Sequence, residues 1–158
     1  MTVPVTFTKG TPEHYEEYKH IFDNCSLMDH YAKNPDVDVL KEWLYPHLLT
    51  GNVIIANNSQ GEPIGVMTYH FNAMFGAWPY LGLLGVAENY RGEGVGSSLI
   101  DVFTGICREA GYKKCFICVS AFNPRAKKLY QSKGFKQIGK IDNFAKQGLT
   151  ECVLMKEL

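Results

Sequence analysis

Residues 91–97 read Arg91-Gly92-Glu93-Gly94-Val95-Gly96-Ser97, three glycines within five positions and an arginine beside them. An apolar stretch of strand length precedes them and a helical pattern follows. A strand, a glycine turn and a helix N-terminus make a site for a phosphate or pyrophosphate. Backbone N–H groups point outward there, and the helix dipole adds partial positive charge. Glycines let the backbone approach the anion and take positive φ. A ligand-free strand-to-helix turn requires fewer of them. Two nucleotide patterns fit poorly. The P-loop ends in Gly-Lys-Ser/Thr, but Gly96 is followed by Ser97-Ser98. The Rossmann fingerprint needs a glycine where Ser97 stands and an acid about 20 residues on, near Lys113 and Lys114.

Thiol and metal chemistry is less well supported. Cys115 and Cys118 form a CxxC pattern, but the surrounding KKCFICVS reads as a buried strand. Positions three apart on a strand face opposite sides, so the two thiols cannot share an ion. No second CxxC or HxxxH pair completes a zinc site, so no metal is expected. The odd total of five cysteines points to reduced thiols in a reducing compartment.

The elements that must position the glycine loop are read from periodicity. Residues 3–8 (VPVTFT) alternate as a first strand. Thr11-Pro12-Glu13 is a helix start, with cap, proline and acid in order, and Tyr15, Tyr18 and Phe22 continue it for about three turns. A second helix is expected from about Asp36, with Leu40, Trp43 and Leu44 on one face. Pro46 should kink or end it, and Gly51 closes the region. Strands follow at 52–57, 62–71 and 78–87, the last apolar enough to be covered on both faces. Val95, Leu99, Val102, Phe103, Ile106 and Ala110 form one helical face, stopped by Gly111. A buried strand at 114–120, a helix from Asn123-Pro124 to Lys133 and antiparallel strands at 135–140 and 149–156 complete the chain. The pattern is one α/β domain over residues 1–158, a mixed sheet with helices on its faces.

Composition excludes some functions. The 158 residues carry 16 basic and 16 acidic side chains, so the net charge is zero. That is not the bulk electrostatic signature of a nucleic-acid binder. No run is long enough to span a bilayer, and the first 20 residues lack a signal-peptide core. The expectation is a cytoplasmic protein with neither nucleic acid nor membrane as partner.

Arg91-x-x-Gly94-x-Gly96 after an apolar strand resembles the acetyl-CoA signature of the GNAT superfamily of N-acetyltransferases. The run from Ser120 through Asn123-Pro124 and Leu129-Tyr130 to Gly134-Phe135 is similar to its second signature, and residues 152–156 resemble its last strand. The likeness covers about residues 50–156, with residues 1–49 matching only as a helix pair. It implies a single GNAT-like domain, with a mixed, mostly antiparallel sheet and helices on both faces. Two parallel central strands, 78–87 and 114–120, would splay to admit pantetheine.

By the same resemblance, the backbone at Leu84 and Val86 meets pantetheine, and the Leu84 N–H is the oxyanion donor to the acetyl carbonyl. The backbone of Arg91, Gly92, Glu93, Gly94, Val95, Gly96 and Ser97 holds the pyrophosphate. Asn123 bonds the cofactor, and Tyr130 is the general acid toward the leaving thiolate. Read without the resemblance, Asn123 is a helix cap and Tyr130 a half-buried packing aromatic. The attacking amine must be neutral, so a base is expected. Many relatives carry a Glu on the strand before the loop, but residues 78–87 contain no carboxylate. His70 titrates in the right range and is the candidate base, with Tyr69 on the opposite face.

The implied activity is acetyl transfer from acetyl-CoA to a primary amine by direct attack in a ternary complex. The acceptor is a small-molecule amine or a protein or peptide amine. Its specificity is expected from Asp29, His30, Tyr31, Trp43, Tyr45, Asp142, Asn143 and Phe144. The apolar segment 71–78 is read as a pocket cover or a homodimer contact. The alternatives are a non-catalytic acyl-CoA-binding sensor, motivated by the missing carboxylate, and a nucleotide-binding protein.

Overall fold

The computed structural model describes residues 2–25, 27–31 and 36–158, without the side chains of Met28 and Asp29. Its strands are β1 (Thr6–Lys9), β2 (Val53–Asn57), β3 (Pro63–Met74), β4 (Trp78–Val86), β5 (Lys114–Ser120), β6 (Lys136–Ile141) and β7 (Glu151–Glu157). Its α-helices are α1 (Tyr15–Lys19), α2 (Leu27–Tyr31), α3 (Val39–Thr50), α4 (Val95–Glu109) and α5 (Pro124–Ser132). The strands form a seven-stranded mixed sheet in the order β1-β2-β3-β4-β5-β7-β6. β4 and β5 run parallel. Among the described residues no helix is long and apolar enough to cross a membrane.

The chain folds as two compact units, one of residues up to Tyr69 with Leu83–Leu99, the other of His70–Gly82 with Ile100–Leu158. In the first unit, Val53 and Ile55 of β2, Val66 of β3 and Leu83 of β4 share a core with Tyr15, Tyr18, Ile21, Phe22, Leu40, Leu44 and Leu48. Each such buried aliphatic contributes about 1.5–3 kcal/mol. Ile55 pairs with Val66 and Ala56 with Gly65, so Gly65 lies on the opposite face. A Cβ on Gly65 would stand 2.9 Å from Val95 and 3.0 Å from Leu99 of α4. Both faces of this part of the sheet therefore carry helices, as expected.

Two local readings are corrected here and a third is narrowed. The Thr11 hydroxyl caps no backbone amide but pairs with the His14 ring at 2.9 Å. α1 is flanked by 3-10 turns at Pro12–His14 and His20–Phe22, and α2 follows where no separate helix was expected. Pro46 lies inside α3 rather than ending it. Its missing donor costs about 3 kcal/mol. The Asp38 cap on the Lys41 N–H (3.0 Å), the left-handed Gly51 and the buried Leu40, Leu44 and Leu48 outweigh that cost.

In the second unit, β5 and β7 pair without a break from Lys114–Glu157 to Ser120–Glu151. Cys115, Cys152 and Lys156 face the helices. The free thiols of Cys107 on α4 and Cys115 are hydrogen-bonded, Lys127 Nζ of α5 lies 3.9 Å from Cys152 Sγ, and Gly134 packs on Lys156. Phe116, Cys118 and Ser120 therefore share the other face with Met155, Val153 and Glu151. The two thiols of the CxxC pattern stand on opposite faces, as read from the strand.

The segment between β3 and β4 is a tight hairpin. The Ala77 N–H donates to the Met74 carbonyl at 3.0 Å. Phe75 (φ 54°) and Gly76 (φ 67°) carry the paired positive φ of a primed turn.

Candidate functional site

In the first unit, β4 delivers the chain to the glycine loop through a 3-10 turn at Glu88–Tyr90. Arg91 Nε donates to the Val86 carbonyl at 3.0 Å, tying the loop to the end of the strand. The turn is anchored twice more. Asn24 Nδ2 donates to Glu88 at 2.8 Å, and Asn58 Nδ2 donates to the Tyr90 hydroxyl at 3.1 Å. Gly92 (φ 83°) and Gly94 (φ 84°) are both left-handed, a conformation that a side chain would strain. The N-terminal segment also reaches this loop: the Val3 N–H donates to the Glu93 carbonyl at 3.2 Å.

The Ser98 N–H donates to the Gly94 carbonyl at 3.0 Å, which makes Gly94 the cap of α4. The amides of Val95, Gly96 and Ser97 precede that bond and have no acceptor within the helix. The first turn contains no acid to neutralise the positive end of the dipole. The loop thus presents consecutive N–H donors, two positive-φ glycines and no carboxylate in the helix turn that follows. That chemistry suits a phosphate.

Leu84 and Val86 are half-buried on β4. The register between β4 and β5 consists of Tyr80 with Phe116 and Leu81 with Ile117, and β4 continues to Val86.

In the second unit, Asn123 caps α5. Its Oδ1 accepts from the Ala126 N–H at 3.2 Å, and its own N–H donates to the Ser120 carbonyl at 2.9 Å. Two turns on, Tyr130 is buried edge-on to Phe135, with ring centroids 6.5 Å apart. Burial, and secondly the negative charge of Glu151, pushes its phenol above the ordinary tyrosine range. Tyr130 therefore holds its proton, the state that an acid requires. Tyr80 is pushed up by burial and then by Cys118 and Glu151.

Glu151 is 5% exposed and, among the described residues, the only buried acid. Ser120 Oγ donates to its carboxylate across the β5–β7 pair. The sequence reading passed over both residues. An acid at the head of a strand reads as a boundary residue, and only the pairing of β7 with β5 places it beside Ser120.

The remaining candidates divide. His70 is exposed on β3 and Tyr69 buried, consistent with opposite faces. Arg125 and Lys128 are exposed. Tyr31 and Trp43 stack edge-on at 5.0 Å, and Trp43 and Tyr45 pack against the core of the first unit. The Asp29 side chain lies outside the described residues. Asp142 and Asn143 shape the β6–β7 connection, accepting from Thr150 Oγ1 (2.9 Å) and the Gly148 N–H (2.8 Å), while Phe144 is exposed. Among the described residues no cluster of three or more His, Cys, Asp or Glu could hold a metal ion.

The family model described as the acetyltransferase (GNAT) family matches residues 12–135. No curated protein matches the chain in sequence. Solved structures do match in fold. An acetyltransferase of the GNAT family from Bacillus cereus ATCC 10987 is 18% identical with a TM-score of 0.75, covering 98% of this chain and 97% of its own. A GCN5-related N-acetyltransferase from Kribbella flavida is 19% identical with a TM-score of 0.78, covering 98% of each chain. A chain of the NatC complex bound to Gag peptide and CoA is 18% identical with a TM-score of 0.73, covering 100% of this chain and 99% of its own.

Proposed function

The chain belongs to the acetyltransferase (GNAT) family, and from that premise we propose that it transfers an acetyl group from acetyl-CoA to a primary amine by direct attack. The carrying observation is the glycine loop, where Gly92 and Gly94 at positive φ lead into the acid-free first turn of α4. Those residues fit a pyrophosphate. The backbone amides from Arg91 to Ser97 would hold it, and backbone groups of Leu84 and Val86 would meet the pantetheine amides. Acetyl-CoA supplies the activated acetyl thioester. The Leu84 N–H donates to the acetyl oxygen as negative charge develops on it. Asn123 bonds the cofactor while its side chain caps α5. Tyr130 gives its proton to the departing sulfur.

The acceptor is the finer part of the proposal. One structural relative is a chain of a complex bound to a peptide, so peptide N-termini belong in the acceptor panel beside small amines. Calorimetric titration with acetyl-CoA, with ATP and NAD as controls, tests the cofactor. One-to-one binding of acetyl-CoA alone is expected. Binding of ATP or NAD instead would overturn the reading.

A further inference from the structure

β4 contains no carboxylate, yet an aliphatic amine is protonated at neutral pH and must lose a proton before it attacks. The second unit holds a buried acid that the roles above leave unused. Glu151 opens β7 opposite Ser120, the last residue of β5. Both side chains stand on the face shared with Phe116 and Cys118, opposite the face on which α4 and α5 pack. Tyr80 joins them, since it pairs with Phe116 across the parallel ladder. Burying a carboxylate costs several kcal/mol unless it is well bonded, and Ser120 Oγ supplies one bond.

We propose that Glu151, steadied by Ser120, is the base that receives the acceptor's ammonium group and takes its proton, so that the favoured substrates are aliphatic primary amines. This rests on the transferase reading of the same chain. Groups from three elements lie close to Glu151. Ser120 and Cys118 lie on β5, Tyr80 on β4 and Tyr130 on α5, and Lys127 is turned to Gln137 at 2.5 Å. Glu151's negative charge is felt at the Tyr130 phenol.

The step balances. The ammonium gives one proton to the Glu151 carboxylate, and the neutral nitrogen forms the new C–N bond to the acetyl carbon. The C–S bond breaks, and the thiolate takes the Tyr130 proton. The nitrogen loses a second proton, which restores the Tyr130 phenol, and Glu151 passes its proton to solvent. The sum is one ammonium and one thioester giving one amide, one thiol and one proton.

Two small nucleophiles test this without a known acceptor: methylamine, protonated at pH 7, and hydroxylamine, largely neutral there. In Glu151→Gln, transfer to methylamine should fall about 100-fold. Transfer to hydroxylamine should stay within threefold, with acetyl-CoA binding unchanged by calorimetry. Ser120→Ala should lower the methylamine rate alone, by about tenfold. Equal losses on both nucleophiles, or no loss on methylamine, would overturn the assignment of Glu151. If Glu151→Gln no longer binds acetyl-CoA, Glu151→Asp and Ser120→Ala decide by the same ratio of rates. A wild-type protein that neither binds acetyl-CoA nor acetylates either nucleophile would instead sink the transferase reading itself.

Discussion

Tyr130 carries both the proposed acid role and a pH-dependent contribution to stability. Its phenol is buried in the second unit, and burial first, then Glu151, raises its pKa above the ordinary tyrosine value of about 10. A raised folded-state pKa contributes stability that is full below that value and lost as pH rises past it. Tyr80, raised by burial, and Tyr15, raised by burial and by its hydrogen bond to Asp38, act in the same sense. The free energy of urea unfolding should therefore fall between pH 9 and pH 11, and less steeply in Tyr130→Phe. An identical slope would remove Tyr130 from that titration. The same variant should bind acetyl-CoA normally but turn over about 100-fold more slowly; full turnover would take the acid role from Tyr130. Gly94 is constrained by backbone rather than by titration. At φ 84°, and with Thr2 Cγ2 only 2.8 Å from a new Cβ, Gly94→Ala should cost about 1–2 kcal/mol and weaken acetyl-CoA binding.

Two helices show how elements divide stability from function. The first turn of α4 has no acid, although one there would stabilise the helix by about 0.3–1 kcal/mol. Ser97→Asp should accordingly raise the melting temperature of the ligand-free protein and lower its acetyl-CoA affinity at least tenfold. Higher stability with unchanged affinity would move the pyrophosphate away from this turn. α3 shows the converse, a helix held by its caps and buried leucines in spite of an interior proline. Pro46 is exposed and placed in no functional role, so Pro46→Ala should raise the unfolding free energy by about 1–3 kcal/mol without changing turnover. The β3–β4 hairpin shows a turn and its apolar residues held by different contacts. The turn is set by the positive φ of Phe75 and Gly76, while Phe71 stacks on Tyr112 at 5.4 Å and Phe75 is exposed.

For the whole molecule, zero net charge supplies no overall basic field, so the proposed pyrophosphate site depends on local donors. Binding to the folded state alone adds about 2.7 kcal/mol of stability at a ligand concentration of 100 times Kd. Acetyl-CoA should therefore raise the melting temperature in proportion to the logarithm of its concentration, and ATP and NAD should not. The sequence by itself determined the order of the strands and of the helices other than α2, the glycine loop and the cap at Asn123. These depend on near neighbours: a left-handed glycine, a cap three residues from its amide, an apolar face repeating every three or four positions. Only the tertiary structure decided that Pro46 stays inside its helix, that Cys118 stands beside Tyr80 and that Glu151 is buried against Ser120. Those facts depend on which strands lie side by side and which faces are covered, contacts between residues as much as 38 positions apart, as Cys118 and Tyr80 are, which no local spacing encodes.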